Sequence, residues 1–108
     1  MTHRAWIASR EPAPHPRLAL RIEHMLAARP ELAGAPTTDA MLAAGTALLA
    51  GVVGAGAGGA ADAGRAQALD LLAADACVTW AFEAAADTPA LLGAQARQAM
   101  RALARVVA

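Results

Sequence analysis

Residues 75–105 read DACVTWAFEAAADTPALLGAQARQAMRALAR and carry two rows of polar side chains at four-residue spacing. The rows are Asp75, Thr79 and Glu83 before the Thr88-Pro89 pair, and Arg97, Arg101 and Arg105 after it. A spacing of four places a row along one face of a helix, and Thr88 with Pro89 supplies the cap and first-turn residue of a new helix. Two long helices joined by so short a turn lie antiparallel. The segment therefore predicts a helical hairpin in which residues whose numbers have a constant sum lie side by side, Asp75 beside Arg105 for example.

Composition extends this prediction to the whole chain of 108 residues. About a third of the residues are Ala, the best intrinsic helix former, whereas the chain has one Phe, two Trp and no Tyr. A β-sheet would lack the side chains that stabilise neighbouring strands. The sequence therefore predicts an all-α fold, a small helical bundle of three to four main helices with a C-terminal antiparallel helical hairpin. Residues 16–108 are predicted to form one domain, and residues 1–15 an N-terminal arm with a Pro-rich connector.

Capping and breaking residues divide the domain upstream of the hairpin turn. The predicted helices span residues 16–29, 37–53 and 62–86. They begin at Pro16, at Thr37 or Thr38, and at Asp62, residue types that favour the first positions of a helix. The glycines between the second and third of these helices predict a flexible loop. Apolar side chains on both sides of the third predict that it is central.

The N-terminal arm combines large apolar residues with a stiff connector. Thr2 can cap a short helix that carries Trp6 and Ile7, and three prolines within residues 12–16 then favour an extended chain. This arrangement predicts a docking arm, which packs either on its own domain or on another subunit.

Charge and cysteine content argue against several kinds of partner. The formal net charge is zero and every cation is an Arg, whereas nucleic-acid binding needs clustered positive charge, so no nucleic-acid partner is predicted. The single Cys77 excludes an internal disulfide, and without a secretory signal pattern a cytoplasmic location is predicted. Residues 40–61 carry no charge, but their second half is Gly and Ala with few large apolar residues, so no membrane span is expected.

No residue pattern in the chain predicts catalysis, a metal ion or a cofactor. His3, His15 and His24 lack metal-ligand spacing, and Cys77 lies on an apolar part of its helix without a neighbouring base. The Gly-rich segment lacks the Lys followed by Ser or Thr that a phosphate-binding loop needs. We therefore predict no catalytic residue, no metal ligand and no cofactor, and we favour a non-catalytic protein.

Two functional hypotheses follow. An Ala-rich core buries little area per residue, which favours an interaction or scaffold protein that forms a homo-oligomer or docks to a larger protein partner. The residues predicted to bind the partner are Arg97, Arg101, Arg105, Trp80, Trp6 and Ile7. The simpler interpretation is that the Arg row is a solvated face and Trp80 an ordinary core residue. The alternative function is an apolar small-ligand-binding or enzyme-like domain with a cavity floored by Leu72, Trp80 and Met100. A helix-turn-helix DNA binder would need a positive charge that this chain lacks.

Overall fold

The computed structural model describes residues 1–55 and 61–107, with side chains for all of these except residues 61–63. Five α-helices follow one another: α1 (His3–Ala8), α2 (Pro16–Ala27), α3 (Thr37–Ala55), α4 (Ala61–Ala85) and α5 (Leu92–Val107). Two short 3-10 helices, Pro30–Gly34 and Pro89–Leu91, precede α3 and α5. The described residues contain no strand, and the predicted all-α helical bundle is confirmed.

The first two helices begin with side-chain caps. The Thr2 hydroxyl accepts a hydrogen bond from the Ala5 amide at 3.0 Å, as the arm's sequence predicts. At the start of α2, Pro16 occupies the first turn and the His15 ring accepts a hydrogen bond from the Arg17 amide at 3.1 Å. Both caps satisfy amides that have no partner within the helix.

The turn between α4 and α5 is less tight than the sequence predicts. Thr88 makes no side-chain capping hydrogen bond, and the 3-10 helix Pro89–Leu91 stands between it and α5. The predicted flexible loop at residues 56–60 lies outside the described residues, and the predicted cap at Asp62 lies outside the described side chains.

Helices α3 and α4 pack against each other along much of their length and form the centre of the bundle. Gly45 makes their close approach possible, because a Cβ there would lie 3.1 Å from Cys77 Cβ and 3.3 Å from the Ala74 carbonyl oxygen. Small side chains continue this contact. The buried residues of the pair include Ala40, Met41, Ala44, Leu48, Ala73 and Cys77. Backbones held so close gain many dispersion contacts without large side chains.

Helix α3 is also long and apolar enough to cross a membrane. It is the one described helix with these properties, with a mean hydropathy of 1.5 over an 18-residue window of which 33% is buried. Met41, Leu42 and Leu48 of this helix belong to the hydrophobic core. The side of α3 that packs on α4 is therefore apolar, and Val53, 47% exposed, shows that apolar residues extend beyond that side.

Helix α5 turns back after α4 but then follows α3. Near the turn, Ala99 of α5 and Ala81 of α4 line the same small depression. Further along, Val106 of α5 lines a shallow depression together with Ala50 of α3. The constant-sum pairing between α4 and α5 therefore holds only near the turn. Ala occurs on several sides of both α3 and α4. The apolar pattern therefore did not indicate whether α5 would pack on α3 or on α4.

This placement leaves large apolar side chains of α5 in solvent. Met100 is 70% exposed and Val107 is 69% exposed, whereas Ala99 is only 4% exposed. The apolar sector of α5 is wider than the strip of the helix that its neighbours cover.

Helix α2 is fixed to α4 by an apolar residue and an ion pair. Ile22 is fully buried, and Arg21 Nε donates to Asp70 Oδ1 at 2.6 Å while Arg21 Nη2 donates to Oδ2 at 3.4 Å. This hydrogen bonding raises the pKa of the Arg21 guanidinium, against a smaller opposing effect of burial. Asp70 is thus a partner of Arg21 and holds two helices together.

Candidate interaction surface

The N-terminal arm packs on its own domain, which is the first of the two predicted alternatives. Ile7 is 1% exposed, and the rings of Trp6 and Trp80 meet edge to face with centroids 6.5 Å apart and an interplanar angle of 77°. Trp80 is itself 8% exposed, because α1 covers it. Three of the six predicted partner-binding residues therefore contact one another or the core of their own chain.

Arg10 secures the end of this arm, and the sequence analysis did not single it out. Its guanidinium carbon lies 3.7 Å from the centroid of the Trp6 ring, and its Nη1 donates to Glu83 Oε2 at 3.2 Å. A guanidinium that stacks on an indole and pairs with a carboxylate uses both recognition modes of Arg. The available signal was the four-residue spacing from Trp6 to Arg10, which brings the two together where the chain leaves α1, so that Arg10 Nε donates to the Trp6 carbonyl oxygen at 3.3 Å.

The start of the arm is tied to the 3-10 helix Pro30–Gly34 and to the first residue of α3. The His3 ring lies with Nε2 2.6 Å from the Leu32 carbonyl oxygen and Nδ1 3.3 Å from the Thr37 hydroxyl. With the proton on Nε2, the ring donates to Leu32 and accepts from Thr37. Arg4 pairs with Glu23 of α2 at 3.4 Å. The arm is thereby anchored to α2, α3 and α4.

The remaining predicted residues, Arg97, Arg101 and Arg105, are all exposed on α5. None of them forms an ion pair with a described residue, and Glu83, the predicted counterpart of Arg97, is bound to Arg10. The acidic and Arg rows thus remain apart within the described hairpin. Asp75 is likewise exposed and has no ion-pair partner among the described residues.

Large apolar side chains accompany the Arg row on α5. Leu92, Met100 and Val107 share one side of the helix, and Leu92 is 38% exposed. On α4, Leu71 and Phe82 are 51% and 37% exposed and lie eleven residues apart, three full turns along the same side. We call these five residues, together with Asp75 and the Arg row, the α4–α5 surface.

A separate open groove of about 800 Å³ lies between the start of α2 and the first half of α4. Leu18 of α2 faces Leu69 and Leu72 of α4 across it, and the charged lining residues are Arg17, Arg65 and Asp75. Leu72 is the member of the predicted cavity floor that lies here. Trp80 packs against Trp6 and Met100 lies exposed on α5, so the three do not share one cavity.

The described residues support neither a metal-binding site nor a reactive thiol. It contains no group of three or more His, Cys, Asp and Glu side chains that could hold a metal ion. Cys77 is fully buried, and burial raises the pKa of its thiol to about 12. Because the thiolate is the nucleophile, this Cys is an inert packing residue at neutral pH.

Comparisons with known proteins gave no match: no family model, no curated protein and no solved structure resembles the chain. The chain's own surfaces are therefore the basis for its proposed function.

Proposed function

We propose that this protein is a small helical interaction protein that associates with a second copy of itself through the α4–α5 surface. One observation carries the proposal: the solvent-exposed part of α5 combines three Arg side chains without ion-pair partners in the described chain with the large apolar side chains of Met100 and Val107. An apolar strip edged by charge is the composition of a protein interface with a polar rim.

The charge balance favours a second copy over a foreign partner. The chain carries nine Arg and nine acidic residues, so two copies can supply both members of an ion pair. In an isologous dimer each surface meets its copy, and a basic row on one protomer can face an acidic residue on the other. Asp75 is the candidate counterpart, since it shares its side of α4 with Leu71 and Phe82.

The accessible surface area of the chain is larger than that of a typical compact monomer of its mass. It measures 6533 Å², whereas a compact monomer of 10.9 kDa exposes about 5,600 Å². The excess is comparable to the roughly 800 Å² that one partner buries in a standard interface. Covering Leu71, Met100 and Val107 would remove three large apolar side chains of α4 and α5 from water.

The test is a light-scattering mass measured from micromolar to submillimolar protein concentration, at low and high salt. We expect a monomer–dimer equilibrium that Arg101→Glu weakens roughly tenfold, because attraction at an interface rim becomes repulsion. Adding Asp75→Arg to that variant should restore part of the lost affinity. Arg4→Glu makes the same change of charge on α1, beside Glu23 of α2 and away from this surface, and should leave the dimer intact.

Two results would overturn the proposal. The first is a monomeric mass over the whole concentration range. The second is a dimer that responds equally to Arg101→Glu and Arg4→Glu, since that would show an effect of net charge and not of the α4–α5 surface.

A further inference from the structure

The site that binds the N-terminal arm is built entirely from residues beyond the Pro-rich connector. The polar and aromatic partners of the arm are Glu23, Leu32, Thr37, Trp80 and Glu83. None of these contacts requires that the arm and its site belong to one molecule. An arm from a second copy would make the same contacts, as happens when protomers exchange an identical element.

The arm also carries contacts of its own that stay with it in any site. The Thr2 hydroxyl caps its helix by accepting from the Ala5 amide. Ser9 Oγ donates to the Trp6 carbonyl oxygen at 2.6 Å, and the Arg10 guanidinium stacks on the Trp6 ring. Each contact joins two residues of the arm, so each is kept whichever copy the arm binds. Order that is present before docking lowers the entropy lost on docking.

Charge and apolar surface together specify the arm as the occupant of this site. Before the connector the charged side chains are Arg4 and Arg10, with no acidic residue among them. The site presents one carboxylate to each, Glu23 and Glu83. Between the two ion pairs Ile7 is 1% exposed and the two Trp rings meet edge to face. The matching occupant is a short basic segment with an apolar centre, which is the sequence of the arm itself.

The connector allows the arm to reach a neighbouring molecule. Residues 11–14 form no hydrogen bond or ion pair with other described residues, and they are exposed except for the half-buried Pro14. Prolines in the connector favour an extended chain, and the six steps from Arg10 to Pro16 span up to about 20 Å when extended. We propose that two copies of this chain exchange their N-terminal arms, so that Trp6 of each packs against Trp80 of the other. This exchange does not depend on the α4–α5 surface.

Two charge-reversed variants test the exchange. Arg10→Glu places a carboxylate beside Glu83, and Glu83→Arg places a guanidinium beside Arg10, so each variant alone repels its own arm. In an equimolar mixture each arm meets the opposite charge on the other variant. Both chains also carry Arg101→Glu, which weakens association through the α4–α5 surface. We expect the mixture to form a heterodimer at least about tenfold more tightly than either variant forms a homodimer, as two exposed ion pairs allow.

The mass is measured by sedimentation velocity, and the contact by isotope-filtered NMR. Nuclear Overhauser effects between Trp6 of a labelled variant and Trp80 of an unlabelled one are expected only if the arm has crossed over. The matched control is a mixture of Arg17→Glu and Asp87→Arg in the same Arg101→Glu background. It reverses the same charges at exposed positions that do not pair with the arm, and it should stay monomeric.

The parent protein gives a second measurement that needs no substitution. A short connector gives its own arm an effective concentration in the millimolar range, so labelled and unlabelled parent chains mixed at about 2 mM should show the same Trp6–Trp80 effects. The proposal is overturned if the charge-reversed mixture stays monomeric, if the control mixture associates as strongly, or if the intermolecular effects are missing from the concentrated parent. Because the test variants all carry Arg101→Glu, failure here is distinguishable from failure of the proposed function.

Discussion

The contact of Gly45 with α4 gives a sharp test of how this bundle is held together. In Gly45→Ala the new Cβ would lie 3.1 Å from Cys77 Cβ, 3.2 Å from Val78 Cγ2 and 3.3 Å from the Ala74 carbonyl oxygen. Two of these three atoms belong to the backbone or to the first side-chain carbon of α4, which cannot rotate away. The two helices would therefore have to move apart by a few tenths of an ångström.

Two opposing effects decide the result. Replacing Gly by Ala inside a helix favours folding by about 1 kcal/mol, whereas overpacking a close contact typically costs about 1–3 kcal/mol. We expect a net loss of about 1 kcal/mol in the free energy of unfolding, which lowers the Tm by roughly 4–8 °C in a domain of this size. Gly51→Ala in the same helix is the matched control, because its Cβ would meet nothing within 4 Å. That variant should gain up to about 1 kcal/mol.

Thermal and urea unfolding followed by far-UV circular dichroism measures both variants. The informative quantity is the difference between them, about 2 kcal/mol, since the propensity gain is common to both. If Gly45→Ala stabilises the protein as much as Gly51→Ala does, the helices are not in the close contact described above.

Other perturbations address the thiol, the arm and the ion pair. Because the pKa of buried Cys77 is raised to about 12, stability should be full below the unfolded thiol's pKa of about 8.5 and should fall as pH rises from there towards 12, by up to about 1.4 kcal/mol per pH unit. The chain has no Lys and no Tyr to titrate in that range, so Cys77→Ala should abolish the slope in urea unfolding. Trp6→Ala should cost about 3 kcal/mol and shift the emission of Trp80 to longer wavelength, a change that fluorescence records directly. A double-mutant cycle of Arg21→Ala and Asp70→Ala should give a coupling of about 1 kcal/mol by chemical denaturation, a modest value because both side chains are partly exposed.

The helix boundaries could be predicted largely from local signals. Pro16 begins α2 at the predicted position, and the Thr2 hydroxyl caps the arm helix as predicted. Thr37, one of the two predicted caps of α3, is instead its first residue, and the Thr37 hydroxyl contacts the His3 ring. These signals depend on the chemistry of one or two neighbouring residues, which a sequence displays directly. The prediction that Thr88 caps the last helix was wrong, because Pro89 begins a 3-10 turn and α5 starts only at Leu92.

The relative placement of the helices could not be predicted to the same degree. A hairpin pattern indicates that α4 and α5 reverse direction, but it does not say whether α5 stays on α4 or leans on α3. The packing of α5 depends on which Ala-lined helix side allows the shorter distance between helix axes. Because α5 packs on α3, Met100 is left exposed. Arg10 was missed for a related reason. Its partner Glu83 lies 73 residues away, and only the folded chain brings the two together.

Because a chain is synthesised from its N-terminus, the arm is made before the residues that it binds. Trp6 and Arg10 are synthesised before Trp80 and Glu83, the α4 residues that bind them, and 73 positions separate Arg10 from Glu83. A ribosome adds about 5–20 residues per second, so this apolar arm waits several seconds for its site to emerge. During translation the apolar side chains of the arm therefore stay exposed until Trp80 and Glu83 have been added to the chain.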